Sequence, residues 1–191
     1  MAEDMVTTLY APDAGEEPLL SLPDVSMLKT APVTRLSFRG REEARKAAGK
    51  GFGFALPTKA LNAKTKDDKA ALWLGPDEWL LLAQDDALET TLSSLEKALS
   101  ETPHALVDVS HRQDAILVTG SKATWLLNVG IAIDLHIDAF AVGTVTRTLF
   151  NKAPIMLWRV SEDSFVVEAW GSFMDYVSGI MIEAAEELKA A

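Results

Sequence analysis

The residues whose types most readily suggest chemistry are Asp108, Ser110 and His111, which lie within residues 108–112 (DVSHR). Aspartate, serine and histidine are the components of a catalytic triad. Adjacent residues of a strand point to opposite faces, however, so Ser110 and His111 would diverge. We therefore expect Asp108 and Ser110 to form turn or cap hydrogen bonds with backbone amides rather than a nucleophilic site.

Other motifs also fail the spacing that their chemistry requires. Residues 49–53 (GKGFG) match neither phosphate-binding glycine pattern, so we interpret them as a flexible turn. No two of the three histidines are three or four residues apart, so no metal site is predicted. The absence of cysteine excludes disulfides, thiolate zinc sites and cysteine nucleophiles. We therefore assign no catalytic residue, no metal ligand and no cofactor ligand.

Composition indicates an ordinary soluble globular chain. Of its 191 residues, 48% are apolar and 24% are charged. No apolar run approaches the ~18 residues that a membrane span requires. No secretory signal is visible at the N-terminus, so we expect a cytoplasmic protein that has no membrane partner.

The net charge of −10 is unevenly distributed. Residues 1–28 contain six acids and no base, whereas residues 29–69 contain eleven Lys and Arg against four acids. An acidic protein with one basic segment is a poor nucleic-acid binder, so no nucleic-acid partner is expected. The basic segment is either a dock for an acidic partner or a solvated face.

The periodicity predicts an α+β fold made of two β-α-β-β-α halves. The proline-rich residues 1–32 are expected to be either a disordered terminus or an extended N-terminal arm, followed by halves at 33–103 and 104–191. The first half contains strands at 33–38, 72–74 and 79–83 and helices at 41–48 and 88–99, the second opened by a capping box of Asp86 and Glu89. A strand at 104–110 joins the halves.

The second half repeats this order. Strands are expected at 115–119, 142–150, 155–160 and 165–170, with a helix at 121–129. The final helix is expected to be capped by Ser172. Its predicted core stripe consists of Phe173, Tyr176, Val177, Ile180, Met181, Ala184, Ala185 and Leu188.

Exposed apolar residues and charge suggest candidate interface positions. The five tryptophans are core residues by default, and interface anchors in the alternative interpretation. The interface candidates are Leu19, Leu20, Leu22, Trp73, Trp79, Arg112, Trp158, Met174 and Ile182.

Residues 106–120 (LVDVSHRQDAILVTG), 121–135 (SKATWLLNVGIAIDL) and 143–150 (GTVTRTLF) resemble the opening unit of the aminomethyltransferase family. The resemblance implies its folate-binding fold, with a relic pocket near Trp125 and Arg147. In that family an acidic pair follows the last of these strands and engages the folate amine. This chain has residues 151–157 (NKAPIML) there, without an acid. The resemblance thus implies a scaffold that lacks its catalytic carboxylate.

A second block, residues 72–82 (LWLGPDEWLLL), is similar to the gamma subunit family of heterotetrameric sarcosine oxidases. The resemblance covers residues 33–188 and implies a non-catalytic subunit with a structural and assembly role. Such a complex demethylates sarcosine oxidatively to glycine, hydrogen peroxide, and formaldehyde or methylenetetrahydrofolate. It implies alpha, beta and delta partner subunits, with FAD, FMN, NAD and tetrahydrofolate on the larger alpha and beta subunits, zinc on the smallest, and no cofactor in this chain. The alternatives are a stand-alone tetrahydrofolate-binding accessory protein and an unrelated α+β scaffold.

Overall fold

The computed structural model describes residues 9–12, 15 and 17–189. Contacts divide the chain into two compact units, one built on Pro32–Ser110 and the other on Tyr10–Ala31 and His111–Ala191. In chain order the described elements are β1 (Leu20–Ser21), β2 (Ser26–Lys29), β3 (Val33–Gly40), α1 (Glu42–Phe52), β4 (Ala63–Lys66), β5 (Lys69–Gly75), β6 (Glu78–Gln84), α2 (Leu88–Leu99), β7 (His104–Asp108), β8 (Gln113–Thr119), α3 (Ala123–Asn128), β9 (Val145–Phe150), β10 (Ala153–Ser161), β11 (Ser164–Trp170) and α4 (Gly171–Lys189).

The first unit is an antiparallel sheet of order β4-β5-β6-β3-β7, with α1 and α2 packed on one face. Its core joins Phe38 and Trp79 of the sheet to the alanines and leucines of the two helices. The Trp79 indole donates a 2.8 Å hydrogen bond to the Pro57 carbonyl, which fixes the loop after α1. Burial of apolar surface therefore drives the folding of this unit. The N–H of the buried Trp79 indole has the hydrogen-bond acceptor that it needs.

The glycine-rich residues 49–53 are the last turn of α1 rather than a flexible turn. A Cβ on Gly51 would lie 2.8 Å from the Ala98 Cβ and 2.9 Å from the Ser94 carbonyl oxygen, so glycine allows α1 and α2 to approach closely. Gly53 ends the helix in the left-handed region, at φ 106°. These glycines are explained by helix packing and termination.

The second unit is an antiparallel sheet of order β1-β2-β8-β11-β10-β9, with α3 and α4 on one face. On α4 the fully buried residues are Val177, Met181 and Ala185. The sequence placed Tyr176 in the core stripe and Met174 outside it. Tyr176 is instead 41% exposed and Met174 is 6% exposed, because the helix begins at Gly171 and its buried face is centred one position away from the predicted one.

Each unit contains the order β-α-β-β-β-α; in the second unit its four strands were all predicted individually, whereas the first unit has one strand more than predicted. In the first unit the missed strand is β4, whose four residues carry little apolar alternation. The strand β7, which the sequence assigned to the second half, pairs with β3 in the first unit. The architecture is mixed α and β with two antiparallel sheets, while duplication of the halves remains a prediction.

Residues of the predicted N-terminal arm are part of the second unit. The strand β2 pairs with β8, and β1 pairs with β2, which buries Leu20. The Tyr10 hydroxyl donates a 2.6 Å hydrogen bond to Oε1 of the fully buried Glu168. This supports the extended-arm alternative over a disordered terminus for the described residues, while residues 1–8 lie outside them.

Two predicted helix caps are not formed. The residue before α2 is Ala87, with no side-chain cap hydrogen bond, because residues 85–87 form a separate 3-10 turn that displaces the Asp86 and Glu89 capping box. Ser172 lies inside the first turn of α4, since that helix already begins at Gly171. The two helices therefore begin at residues other than those that the local cap motifs predict.

The corner that follows β7 is a hydrogen-bonded turn. Ser110 Oγ donates to Asp108 Oδ1 at 2.6 Å and accepts from the Arg35 backbone N–H at 3.0 Å, while the Ser110 N–H donates to the same carboxylate at 2.9 Å. The expectation that Asp108 and Ser110 form turn hydrogen bonds is confirmed. Ser110 terminates the β3–β7 ladder by satisfying a buried amide.

Arg159 on β10 is 4% exposed and organises the connection between α3 and β9. Its guanidinium donates to the carbonyls of Leu135 at 3.0 Å, Phe140 at 2.9 Å and Ser161 at 3.3 Å, and also to that of Glu162. Burial lowers the pKa of Arg159, and the nearby charges of Asp163 and Glu162 oppose that shift.

Replacing the guanidinium is expected to destabilise the second unit. Arg159→Met leaves the buried carbonyls of Leu135 and Phe140 without donors, which costs about 2–4 kcal/mol of unfolding free energy. Urea unfolding measures the loss, and hydrogen exchange of residues 130–144 locates it. The exposed Arg41→Met is the control and stays near the parent stability. Equal stability of the two variants would contradict this assignment.

Ser110→Ala is expected to lose about 1–3 kcal/mol, because it leaves the buried Arg35 N–H unpaired. Ser121→Ala, at an exposed position, is the control for urea unfolding. Because Ser110 is held by a carboxylate and not by a histidine, a fluorophosphonate probe is expected to leave it unlabelled. Labelling that disappears in Ser110→Ala would show a nucleophile instead.

Candidate interaction surface

Among the described residues, no group of three or more His, Asp and Glu side chains is arranged to hold a metal ion. None of the described helices has both the length and the apolar character needed to cross a membrane.

An open groove of about 740 Å³ lies in the first unit at the start of α1. Its charges largely neutralise one another: Arg39 pairs with Asp77 at 3.4 Å, and Lys46 approaches Glu42 at 2.6 Å on the adjacent helix turn. The hydrogen bond and the charge of Lys46 lower the pKa of Glu42. The groove is a mixed-charge, solvated surface without the convergent apolar lining of a small-molecule site.

Three cations of the basic segment 29–69 make contacts within the first unit. Arg35 is 2% exposed and donates to the carbonyls of Val33 and Ser110. The ammonium groups of Lys64 and Lys69 lie 5.8 and 5.3 Å from the centres of the Phe54 and Phe52 rings. These are three of the eleven cations of the segment, so both interpretations, a solvated face and a dock for an acidic partner, stay predictions.

The second unit exposes an aromatic cluster where β11 continues into α4. Trp170 is 51% exposed and its ring lies 6.5 Å from that of Phe173, while the exposed Tyr176 follows one helical turn later. Trp170 pairs across the sheet with Gln113, whose side chain accepts from the exposed Arg112 at 3.2 Å. Tryptophan, tyrosine and arginine are the residues most enriched in binding hot spots. We refer to Arg112, Trp170, Phe173 and Tyr176 as the aromatic cluster.

Of this cluster, the predicted interface list contains Arg112, and the alternative interpretation of the five tryptophans also covers Trp170. Phe173 and Tyr176 were both predicted to face the core because they lie at helical spacing; Phe173 does pack against it, whereas Tyr176 is 41% exposed. The strand β11 ends at Trp170, as predicted, and α4 begins at Gly171, one residue before the predicted cap Ser172.

The structure separates the predicted interface residues into exposed and buried groups. Leu19 is exposed, and Leu22, Trp73 and Ile182 are half-buried. Trp79, Trp158, Met174 and Leu20 are buried, which corrects the expectation that they are accessible. Trp79 packs against Phe38, Trp158 lies edge-on to Tyr10, and Met174 and Leu20 belong to the core of the second unit.

Trp125 and Arg147, the predicted relic-pocket residues, lie on different sides of the second sheet. Trp125 is on α3, which packs against the face that carries Leu157. Arg147 is directly opposite Met156, whose side chain points to the other face. The two residues therefore do not line one pocket.

The residues present do not fit the folate contact that the resemblance implies. Asn151 occupies the tight turn between β9 and β10, at φ 51°, and its backbone N–H donates to the Gly130 carbonyl. The following Lys152 is exposed, and β10 begins at Ala153. No carboxylate stands at the turn to meet a folate amine.

A family model described as the sarcosine oxidase gamma subunit family matches residues 42–187. Sarcosine oxidase subunit gamma of Corynebacterium sp. (strain U-96) is 30% identical over 171 residues, which cover 87% of this chain and 82% of that protein. The corresponding protein of Corynebacterium sp. (strain P-1) is 29% identical, with coverages of 83% and 81%.

Two solved structures extend the comparison. The heterotetrameric sarcosine oxidase from Corynebacterium sp. U-96, in complex with pyrrole 2-carboxylate, matches with a TM-score of 0.82 and 29% identity over 87% of this chain and 86% of that chain. The glycine cleavage system aminomethyltransferase T from Bartonella henselae matches with a TM-score of 0.65 and 11% identity over 95% of this chain and 48% of that one, which shows a shared fold alone.

The family model spans both halves of the chain, and the curated relatives match over more than four fifths of each length. The resemblance inferred from residues 72–82 is thereby confirmed, and this chain belongs to the sarcosine oxidase gamma subunit family.

Proposed function

We propose that this chain is a non-catalytic subunit of a multi-subunit sarcosine oxidase, with a structural and assembly role. The observation that carries the proposal is the match to the gamma subunit family, together with a TM-score of 0.82 to a chain of a heterotetrameric sarcosine oxidase. The complex would convert sarcosine to glycine with hydrogen peroxide and either formaldehyde or methylenetetrahydrofolate.

The partners in this proposal are alpha, beta and delta subunits. The larger alpha and beta subunits would carry the flavins FAD and FMN, the nicotinamide dinucleotide NAD and the site for tetrahydrofolate. The missing carboxylate at residues 151–157 supports the assignment of no one-carbon chemistry to this chain. A cytoplasmic location remains a prediction, as does the origin of the two halves as repeats of one aminomethyltransferase-like unit.

The aromatic cluster supports a docking role. Trp170 and Tyr176 expose aromatic rings, and Arg112 donates to the Gln113 side chain on the strand paired with Trp170; aromatic and arginine side chains of this kind are enriched in binding hot spots. A stand-alone tetrahydrofolate protein has no comparable support, because the turn at Asn151 offers no acid and the predicted pocket residues lie on different faces.

Co-expression with the genes that neighbour this one tests the proposal. A tag on this chain is expected to copurify larger subunits that carry flavin absorbance and oxidise sarcosine, while the chain alone has no such activity. Size-exclusion chromatography with light scattering measures the assembly. A chain that stays separate from every co-expressed flavoprotein, or that oxidises sarcosine unaccompanied, would refute the proposal.

Within that complex, Trp170→Ala is expected to weaken assembly about 30-fold, which corresponds to the ~2 kcal/mol of a hot-spot residue. Trp125→Ala, which removes another exposed tryptophan outside the aromatic cluster, is the matched control. Titration followed by light scattering gives both affinities. Equal affinities would assign docking to another surface.

Tetrahydrofolate is expected to show no micromolar binding to the isolated chain in titration calorimetry, because the turn at Asn151 lacks the carboxylate that the fold family uses. An aminomethyltransferase in the same buffer serves as the positive control. A micromolar dissociation constant for this chain would favour the accessory-protein alternative.

A further inference from the structure

The strand β7 is an open edge of the first unit's sheet. It pairs with β3 on one side, and no strand of the described residues pairs with its other side. Its residues are exposed or half-buried, and Val107 is 54% exposed. Exposed edges of this kind are templates for pairing with another chain.

Two backbone hydrogen bonds fix which groups of β7 face outward. The Val109 N–H donates to the Arg35 carbonyl at 2.9 Å, so β7 bonds to β3 through Val109 and every second residue before it. The Gly40 N–H donates to the Asp77 carbonyl at 3.0 Å, so the alternate residues of β3 bond to β6. By this alternation the N–H and C=O of Leu106 point away from β3, into the open edge.

The second unit has one more strand on the corresponding side of its sheet. There β2 is the strand beyond β8, and β1 pairs with its outer side, with Leu20 opposite Met27. Both residues belong to the core of that unit, where Met27 is 0% and Leu20 is 6% exposed. The first unit thus has five strands where the second has six, and β7 lacks the cover that β2 receives from β1.

We infer that an extended segment of another subunit adds to the outer edge of β7 as a sixth strand. The inference rests on the proposed function, which supplies other subunits. The segment that binds there is defined by its backbone. An extended strand presents a C=O and an N–H at the spacing of the outward N–H and C=O of Leu106. A partner side chain beside Val107 would be apolar, since strand addition brings cross-strand neighbours into contact.

Leu106→Pro tests the backbone pairing directly. Proline removes the outward N–H of Leu106, which the β3 ladder does not use, and an edge strand tolerates proline at such a position. Leu106→Ala is the matched control, because it loses the same packing against the first core while it keeps the amide. We expect Leu106→Ala to assemble with the co-expressed subunits and Leu106→Pro to assemble at least tenfold more weakly.

A second measurement needs no variant. In the parent complex the Leu106 amide is expected to exchange with deuterium at least tenfold more slowly than in the isolated chain. Equal exchange in both, or equal assembly of Leu106→Pro and Leu106→Ala, would overturn the inference while the subunit proposal stands. Absence of any complex with the parent chain would overturn both. A homodimer of the isolated chain that Leu106→Pro abolishes would assign the edge to a second copy and refute the partner strand.

Discussion

The guanidinium of Arg159 satisfies main-chain carbonyls where the chain has no regular structure to satisfy them. Residues 129–144 connect α3 to β9, and the carbonyls of Leu135 and Phe140 in this connection accept from Arg159. The backbone of Arg159 also bonds to residues 143 and 144, and its guanidinium lies 4.8 Å from the centre of the Phe165 ring. Because a buried carbonyl without a donor is costly, one side chain permits an irregular segment to pack against the core.

Arg35 has a similar place in the first unit. It lies on the interior strand β3, is 2% exposed and donates to the carbonyls of Val33 and Ser110. Both units therefore use a buried arginine to hold a chain segment that leaves the sheet. At the same corner the Ser110 hydroxyl accepts from the Arg35 backbone N–H and donates to the Asp108 carboxylate. The hydrogen-bonding groups of Ser110 and Asp108 are therefore engaged in holding the turn.

This chain shares a fold with an aminomethyltransferase but has no acid at residues 151–157, and a fold does not by itself determine activity. The described surface presents an aromatic cluster on the second unit and an open strand edge on the first. A partner at the aromatic cluster would bury aromatic area, whereas a partner at the strand edge would pair backbone groups.

Much of the fold was predictable because its elements carry strong local periodicity. The hairpin strands β5–β6 and β10–β11, and the helices α2 and α4, were all located from apolar spacing and turn residues. The short strand β4 was missed, and β7 was grouped with the wrong half, because strand partners depend on distant residues such as those of β3. The burial of Trp79, Trp158 and Met174 likewise depends on neighbours that the sequence does not place next to them.

The sequence by itself determined the family, through residues 72–82, and the absence of an acid at residues 151–157, since both are properties of residue order. Only the tertiary structure decided that Ser110 is engaged by Asp108 and Arg35, that Trp170 is exposed and that the edge of β7 is open. Exposure and pairing are relations between distant parts of the chain, and no local pattern specifies them.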